Sequence, residues 1–317
     1  MDEILQKYEV RKSNKEKTEF LYYMKERLGK AGYDVNVEEK GKGILRSRNM
    51  IVGNVEDAKV VLTAHYDTCA VLPFPNIMAP TSVLLFSVCQ VLIVLFFIIF
   101  SVGLAVLAAL ITGNTDDTQW LVLVFFYAFL FHMLFGYRNK HTANDNTSGI
   151  IALTKILEKM PEEDRSKVCV VYFDNEEKGL LGSSFFKDKH KKEMKEKLLI
   201  NFDCIGDGKT IVALAKNKTQ QDPLYNKFLY TMRQQQAGYD GEFKDEKLRA
   251  LMCASDQMHF EKGVCVCALR TSALGMYVAR IHTPWDTICR EENLAYISNG
   301  VLAFLENIGR TDENKCE

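Results

Sequence analysis

Charge of either sign in excess is missing from this chain. Lys and Arg number 40 against 41 Asp and Glu, so the formal net charge is -1. That balance gives no reason to expect a nucleic-acid partner. Internal repeats and low-complexity tracts are absent too, which excludes solenoids and repeat arrays. Proline is sparse, at six residues, and no Gly/Ser-rich linker marks a second domain. The nine cysteines are Cys69, Cys89, Cys169, Cys204, Cys253, Cys265, Cys267, Cys289 and Cys316. Their number is odd and no two are spaced Cys-x-x-Cys, so neither a disulfide framework nor a thiolate zinc knuckle is indicated. Free thiols fit a reducing compartment. Cys265 and Cys267 alternate within an apolar run and read as core residues of a buried strand. The charged N-terminal stretch, residues 1–7, has helical character and lacks the apolar h-region of a secretory signal.

What the chain does have is two long uncharged apolar runs, roughly residues 83–111 and 120–137. The first exceeds the ~20 residues that cross a hydrocarbon core. Gln90 within it reads as an interface marker, with about 21 apolar residues following. The second is bounded by Trp120 and Tyr137, which resemble an interfacial aromatic belt. A short turn, Gly113 to Thr118, joins the runs, so the expectation is a transmembrane hairpin over 82–137. The competing reading is a buried helical pair, but uncharged runs of this length exceed ordinary core helices. Two crossings return the chain to its starting face, leaving 1–81 and 138–317 together as one catalytic domain. Asp116 and Asp117 occupy the turn, whereas Arg138 and Lys140 flank the second run on the other side. The positive-inside tendency therefore places the catalytic domain in the cytoplasm.

Without the insertion, roughly 260 residues remain, enough for one large α/β domain. Short continuous β-branched runs at 59–64, 168–173, 198–202, 210–215 and 263–269 predict strands buried on both faces. Amphipathic stretches near 16–30, 148–160, 222–236 and 291–308 predict helices. His65, Glu176, Glu177 and Asp203 each fall just after a predicted strand, where open α/β sheets gather catalytic groups.

Each candidate has an ordinary structural reading beside the chemical one. His65 and Asp67 lie on the same side of an extended segment. There a carboxylate can orient an imidazole ligand by accepting its other N–H. Asp145 sits between Asn144 and Asn146, before the Ser148-Gly149 that opens a helix. It reads as an Asx-turn residue or as a carboxylate bridging two cations. Glu176 and Glu177 are adjacent carboxylates that repel unless a cation neutralises one. Asp203 follows an apolar strand and needs a partner, since a buried unpaired charge is costly. His282 lies in Ile281-His282-Thr283-Pro284-Trp285-Asp286-Thr287, a setting suited to a rigid ligand loop. Imidazoles and carboxylates in this mix suit zinc.

Five stretches carry a resemblance in order and approximate spacing: Ala64–Thr68, Asn144–Gly149, Asp174–Ser183, Asn201–Gly206 and Ile281–Thr287. Together they resemble the co-catalytic di-zinc aminopeptidase family, which includes glutamate carboxypeptidases and glutaminyl cyclases. That resemblance implies a mixed, largely parallel central sheet sandwiched by helices. It implies two zinc ions, one on His65, Asp145 and Asp203, the other on Asp145, Glu177 and His282. Asp145 is then the bridge, Glu176 the general base, and Asp67 the support of His65. The insertion is far longer than the family's usual connection. Family members often carry Ser-Asp-His near Ser255-Asp256, where Gln257 follows here and His259 comes later. Tyr277 and Arg280 read either as ligands of an oxyanion or substrate carboxylate or as ordinary packing residues.

The implied chemistry is amide hydrolysis by a water held between the zinc ions, with Glu176 as proton carrier. Only about seven residues separate Arg138 from Asp145, at most ~25 Å of extended chain, so the metals must lie near the membrane surface. The substrates expected are peptides, with N-acyl amino acids or other amides as the runner-up. An inert membrane scaffold is the reading from another class, and a cyclase is disfavoured by the full ligand set. A hairpin that feeds hydrophobic substrates and one that merely anchors the enzyme are both compatible with the sequence.

Overall fold

The protein is described from a computed structural model covering residues 2–74 and 76–308. Cys316 lies outside the described residues. Nine strands form one sheet: β1 (Val35–Lys40), β2 (Ser47–Val52), β3 (Val60–His65), β4 (Val168–Phe173), β5 (Leu198–Phe202), β6 (Thr210–Ala215), β7 (Glu242–Lys247), β8 (Gly263–Ser272) and β9 (Gly275–Tyr277). Their order is β1-β2-β4-β3-β5-β8-β6-β7, with β9 paired to β8. The central strands β4, β3, β5 and β8 run parallel, and antiparallel pairings flank them. The mixed sheet expected from the sequence is therefore present, with its parallel part in the middle.

The helices are α1 (Glu3–Lys7), α2 (Asn14–Lys30), α3 (Val83–Thr112), α4 (Thr118–Phe135), α5 (Gly149–Lys159), α6 (Leu181–Lys189), α7 (Asn217–Gln220), α8 (Pro223–Gln234) and α9 (Glu291–Asn307). Local chemistry sets their starts. Ser13 and Glu16 form a reciprocal capping box on α2. Asp222 accepts the N–H of Leu224 ahead of Pro223, which supplies the first turn of α8.

Period-two alternation divides the sheet between two cores. Val60, Leu62 and Ala64 of β3, with Val168, Val170 and Tyr172 of β4, face a core that α2, α5, α8 and α9 complete. Val61, Cys169, Val171 and Phe173 face the opposite core with Phe186 of α6. Cys265 and Cys267 are fully buried in β8, as expected for core thiols.

Helices α3 and α4 pack on each other as an antiparallel pair and are both long and apolar enough to cross a membrane. The second ends at Phe135, so Tyr137 stands beyond the helix and is exposed. The chain leaves and re-enters the α/β body at one place. Val71 donates to Tyr137 O at 2.8 Å, and Asn139 donates to Cys69 O at 3.2 Å. The segment before α3 is tied to the site region: Leu72 N–H reaches His282 O at 2.7 Å, and Met78 bridges Val278.

Candidate metal centre

Parallel strands deliver the site. His65 is the last residue of β3, the Asp174–Leu180 loop follows β4, and Asp203 follows β5. Asp145 arrives from the segment before α5, and His282 from the loop after β9. These residues, scattered along the sequence, meet at one point.

Two clusters share Asp145. His65 Nε2 lies 3.2 Å from Asp145 Oδ1 and 3.7 Å from Asp203 Oδ1. His282 Nε2 lies 3.2 Å from Asp145 Oδ2 and 3.3 Å from Glu177 Oε2. Each oxygen of Asp145 thus faces a different imidazole. Ligands bonded at ~2.0–2.2 Å to one tetrahedral zinc sit about 3.4 Å apart. A direct charge-assisted hydrogen bond is shorter, at about 2.7–2.9 Å. The spacing fits ligands around a cation better than side chains bonded to each other. Glu177 supports the same conclusion, because its Oε1 is buried and has no hydrogen-bond partner in the structure. The donor set fits zinc.

The clustered charges perturb one another. Burial lowers the proton affinity of His65, but Glu176, Asp145, Asp203 and Asp67 outweigh it and raise its pKa well above the usual value. His282 behaves likewise, with burial opposed by Glu177 and Asp145, and ends at about 9. Desolvation pushes Glu177 up to about 7, with Asp145 adding to the rise and His282 opposing it. Desolvation also raises Glu176 well above the carboxylate range, with Glu177, Asp256 and Asp203 adding and His65 opposing. Asp145 is held below its usual range by the two imidazoles despite its burial. A cation bound among these groups would stabilise their deprotonated forms.

Asp67 stands beside His65, but not as expected. His65 Nδ1 is 3.1 Å from the Asp67 main-chain oxygen and 3.7 Å from its carboxylate. The carboxylate instead accepts the backbone N–H groups of Glu176 at 2.9 Å and Glu177 at 3.2 Å. It fixes the loop that carries the proposed base and one ligand. The start of α6 packs tightly on the start of that loop: a Cβ on Gly182 would lie 2.2 Å from Asp174 O.

Several contributors had no assigned role in the sequence reading. Asp286 accepts the N–H groups of Asn144 at 2.8 Å and Asp145 at 3.0 Å. Asn146 donates to Phe202 O at 2.8 Å, and Asn144 Oδ1 accepts from Gly206 at 2.7 Å and Asp207 at 3.0 Å. The two asparagines lace the Asp145 segment to the loop that carries Asp203. Lys17, fully buried, pairs with Asp174 and with Asn175 Oδ1 at 2.7 Å. Buried Arg11 reaches Tyr66 O at 2.6 Å and Thr147 Oγ1 at 3.0 Å. Cys69 places its sulfur within 4.8 Å of the donor atoms of Asp145, Glu177 and His282. Burial and nearby carboxylates raise its thiol pKa well above normal. Asp256 is buried near Glu176, its carboxyl pushed up to about 7 mainly by desolvation.

Tyr277 and Arg280 stand outside the cleft lining. Arg280 Nε pairs with Asp207 at 3.3 Å, and Tyr277 packs against Ala79, Leu85 and Cys89. Their packing reading is the one the geometry supports. Gln90, the expected interface marker, lines the cleft together with the candidate ligands. That cleft holds about 490 Å³. His65, Asp145, Glu176, Glu177, Asp203 and His282 form its floor, and Phe86 and Gln90 of α3 stand in its wall with Leu251, Met252 and Ile281.

Solved structures share this fold. The glutaminyl cyclase of Porphyromonas gingivalis superposes with a TM-score of 0.59 at 15% identity, covering 96% of this chain and 95% of that one. A leucine aminopeptidase precursor from Bacteroides thetaiotaomicron gives 0.55 at 16% identity, covering 95% and 92%. The LapA aminopeptidase of Legionella pneumophila gives 0.55 at 12%, covering 95% and 68%. No curated protein matches the chain. The model of peptidase family M28 matches residues 110–304, about three fifths of the sequence, a stretch that holds Asp145, Glu176, Glu177, Asp203 and His282 while His65 precedes it. The chain therefore belongs to peptidase family M28.

Proposed function

We propose that this protein is a membrane-anchored zinc aminopeptidase whose paired metals occupy the two clusters that share Asp145. The observation that carries this reading is the placement of the two Asp145 oxygens, each 3.2 Å from a different histidine. His65, Asp145 and Asp203 would hold one ion, and Asp145, Glu177 and His282 the other. Zinc there would supply Lewis acidity, making water easier to deprotonate and an amide carbonyl easier to attack.

Glu176 is the proton carrier. It lines the cleft with the ligands but contacts neither histidine within salt-bridge distance. Its raised pKa suits a group that takes a proton from water and returns it to the leaving nitrogen. The water oxygen bonds to the carbonyl carbon as the C–N bond breaks, giving a carboxylate and an amine. Asp67 positions Glu176 through the backbone.

Residues 82–137 act as the anchor, and residues 1–81 with 138–317 form the catalytic domain. A core helix of a soluble protein would be mostly buried, whereas only 17% of the most apolar window of α3 and 0% of that of α4 is buried. Charge placement supports a cytoplasmic catalytic domain.

Metal analysis and turnover test the assignment together. Purified protein should hold near two zinc per chain and release leucine from leucinamide. Glu176→Gln should keep the metal and lose at least about 100-fold in kcat. Wild-type turnover in that variant removes Glu176 from the mechanism. A protein without metal or turnover is a scaffold instead.

A further inference from the structure

We propose that the metal cleft continues along α3 into an apolar groove, and that this groove holds the alkyl tail of an amphiphilic amide substrate. The proposal rests on the catalytic reading above and names its substrate class. The groove holds about 260 Å³ and is lined by Phe74, Ile77, Cys89, Leu92, Ile93 and Phe96. None of these side chains is charged or carries a strong hydrogen-bonding group.

The groove and the cleft are neighbours by construction. Ile77 lines both. Helix α3 supplies Phe86 and Gln90 to the cleft wall, then Cys89, Ile93 and Phe96 to the groove. These positions recur at three- and four-residue intervals, so they form one stripe along a single helix face. From Phe86 to Phe96 the stripe climbs about 15 Å. Phe74 closes one side by packing on Phe96 and Phe97, at ring separations of 4.8 and 5.4 Å.

Polarity falls along this path. Carboxylates and imidazoles lie at the floor, the Gln90 carboxamide stands midway, and hydrocarbon lines the far end. A substrate that matches the gradient carries its amide at the metals, a hydrogen-bonding group near Gln90, and a saturated tail beyond. Because the far end runs on a helix suited to span a bilayer, the tail arrives by lateral movement and does not cross water. An apolar peptide side chain is too short to follow the stripe past Ile93. Hydrolysis then leaves one water-soluble product and one that keeps the tail.

Chain-length dependence is the test, with full-length protein in nanodiscs. Two probe pairs cover both orientations of the tail: leucyl-butylamide against leucyl-dodecylamide, and butanoyl-leucine against dodecanoyl-leucine. Each methylene taken from water gains up to roughly fourfold in affinity. The expected long-to-short ratio of kcat/KM is therefore at least about tenfold in one pair. Ile93→Trp, which fills the groove, should bring that ratio to within about threefold of unity. Leu92→Trp is the second variant, on a side chain already 60% exposed, where a larger group displaces no core residue. Partitioning into the bilayer is common to wild type and variants, so the change in ratio reports the groove. Titration of dodecanoyl-leucine and butanoyl-leucine into Glu176→Gln protein reads binding without turnover. Long-chain preference in binding alone keeps the groove and sinks the catalytic assignment. A ratio near one in wild type, or one that neither tryptophan alters, overturns the groove.

Discussion

Asp145 has few backbone partners of its own choosing; its neighbours hold it. Asp286 takes the two N–H groups that lead into it, and Asn144 and Asn146 bind the strand-end loop on either side. A bridging carboxylate must present both oxygens at fixed angles, and this frame supplies the fixity. Asp286→Ala should leave the fold intact and weaken metal binding by about 10–100-fold, read by competition against a zinc chelator. Unchanged affinity would leave Asp286 as a loop fastener with no bearing on the metals. The proposed ligands were legible in sequence because each is a charged or imidazole group stranded beside an apolar run. Asp286 carries no such mark, and Cys69 is one of seven buried cysteines among the described residues, with nothing in its sequence context to set it apart from a core thiol. Their relation to Asp145 exists only after loops from distant strands have met.

Among the elements, α2 shows how a charge can hide in a packing pattern. Lys17 falls on the same stripe as Phe20, Leu21, Met24 and Leu28, and it is buried with them. Its ammonium meets Asp174, whose own pKa is raised by burial and held down by Lys17. Removing one partner strands the other, a loss of about 3–5 kcal/mol. Lys17→Met should therefore lower the urea midpoint sharply, and turnover should fall with it because Asp174 begins the Glu176 loop. A variant as stable as wild type would mean that Asp174 is neutral in the folded state. Central strands were readable as continuous apolar runs. Strands β1 and β7, written Val-Asn-Val-Glu-Glu-Lys and Glu-Phe-Lys-Asp-Glu-Lys, were not, since they are edge strands with mostly exposed side chains. Strand β2 is fully buried yet opens on Ser47, Arg48 and Asn49. Arg48 donates to Asp174 through its backbone and to Thr18 through its side chain, and Asn49 binds Gly182 O. Polar residues could enter that strand only because partners from three other segments were waiting.

For the molecule as a whole, sidedness decides where substrates come from. The turn between α3 and α4 bears Asp116 and Asp117 and is fully exposed. The described cysteines are buried or half-buried, so a thiol placed in the turn stands out against them. Asp116→Cys should react with a membrane-impermeant maleimide on intact cells, in keeping with the placement of Arg138 and Lys140. Labelling only after permeabilisation would reverse the orientation. The chain leaves for α3 and returns from α4 through one short seam, where Ala70 and Arg138 form a β-bridge. A seam of that kind makes the apolar pair exchangeable. Another hairpin grafted between Val83 and Phe135 would leave the sheet and the proposed metal ligands as they are, yet it would replace Phe86, Gln90 and everything beyond them. On the proposed reading, selectivity can then evolve by trading hairpins, with no mutation in the α/β body.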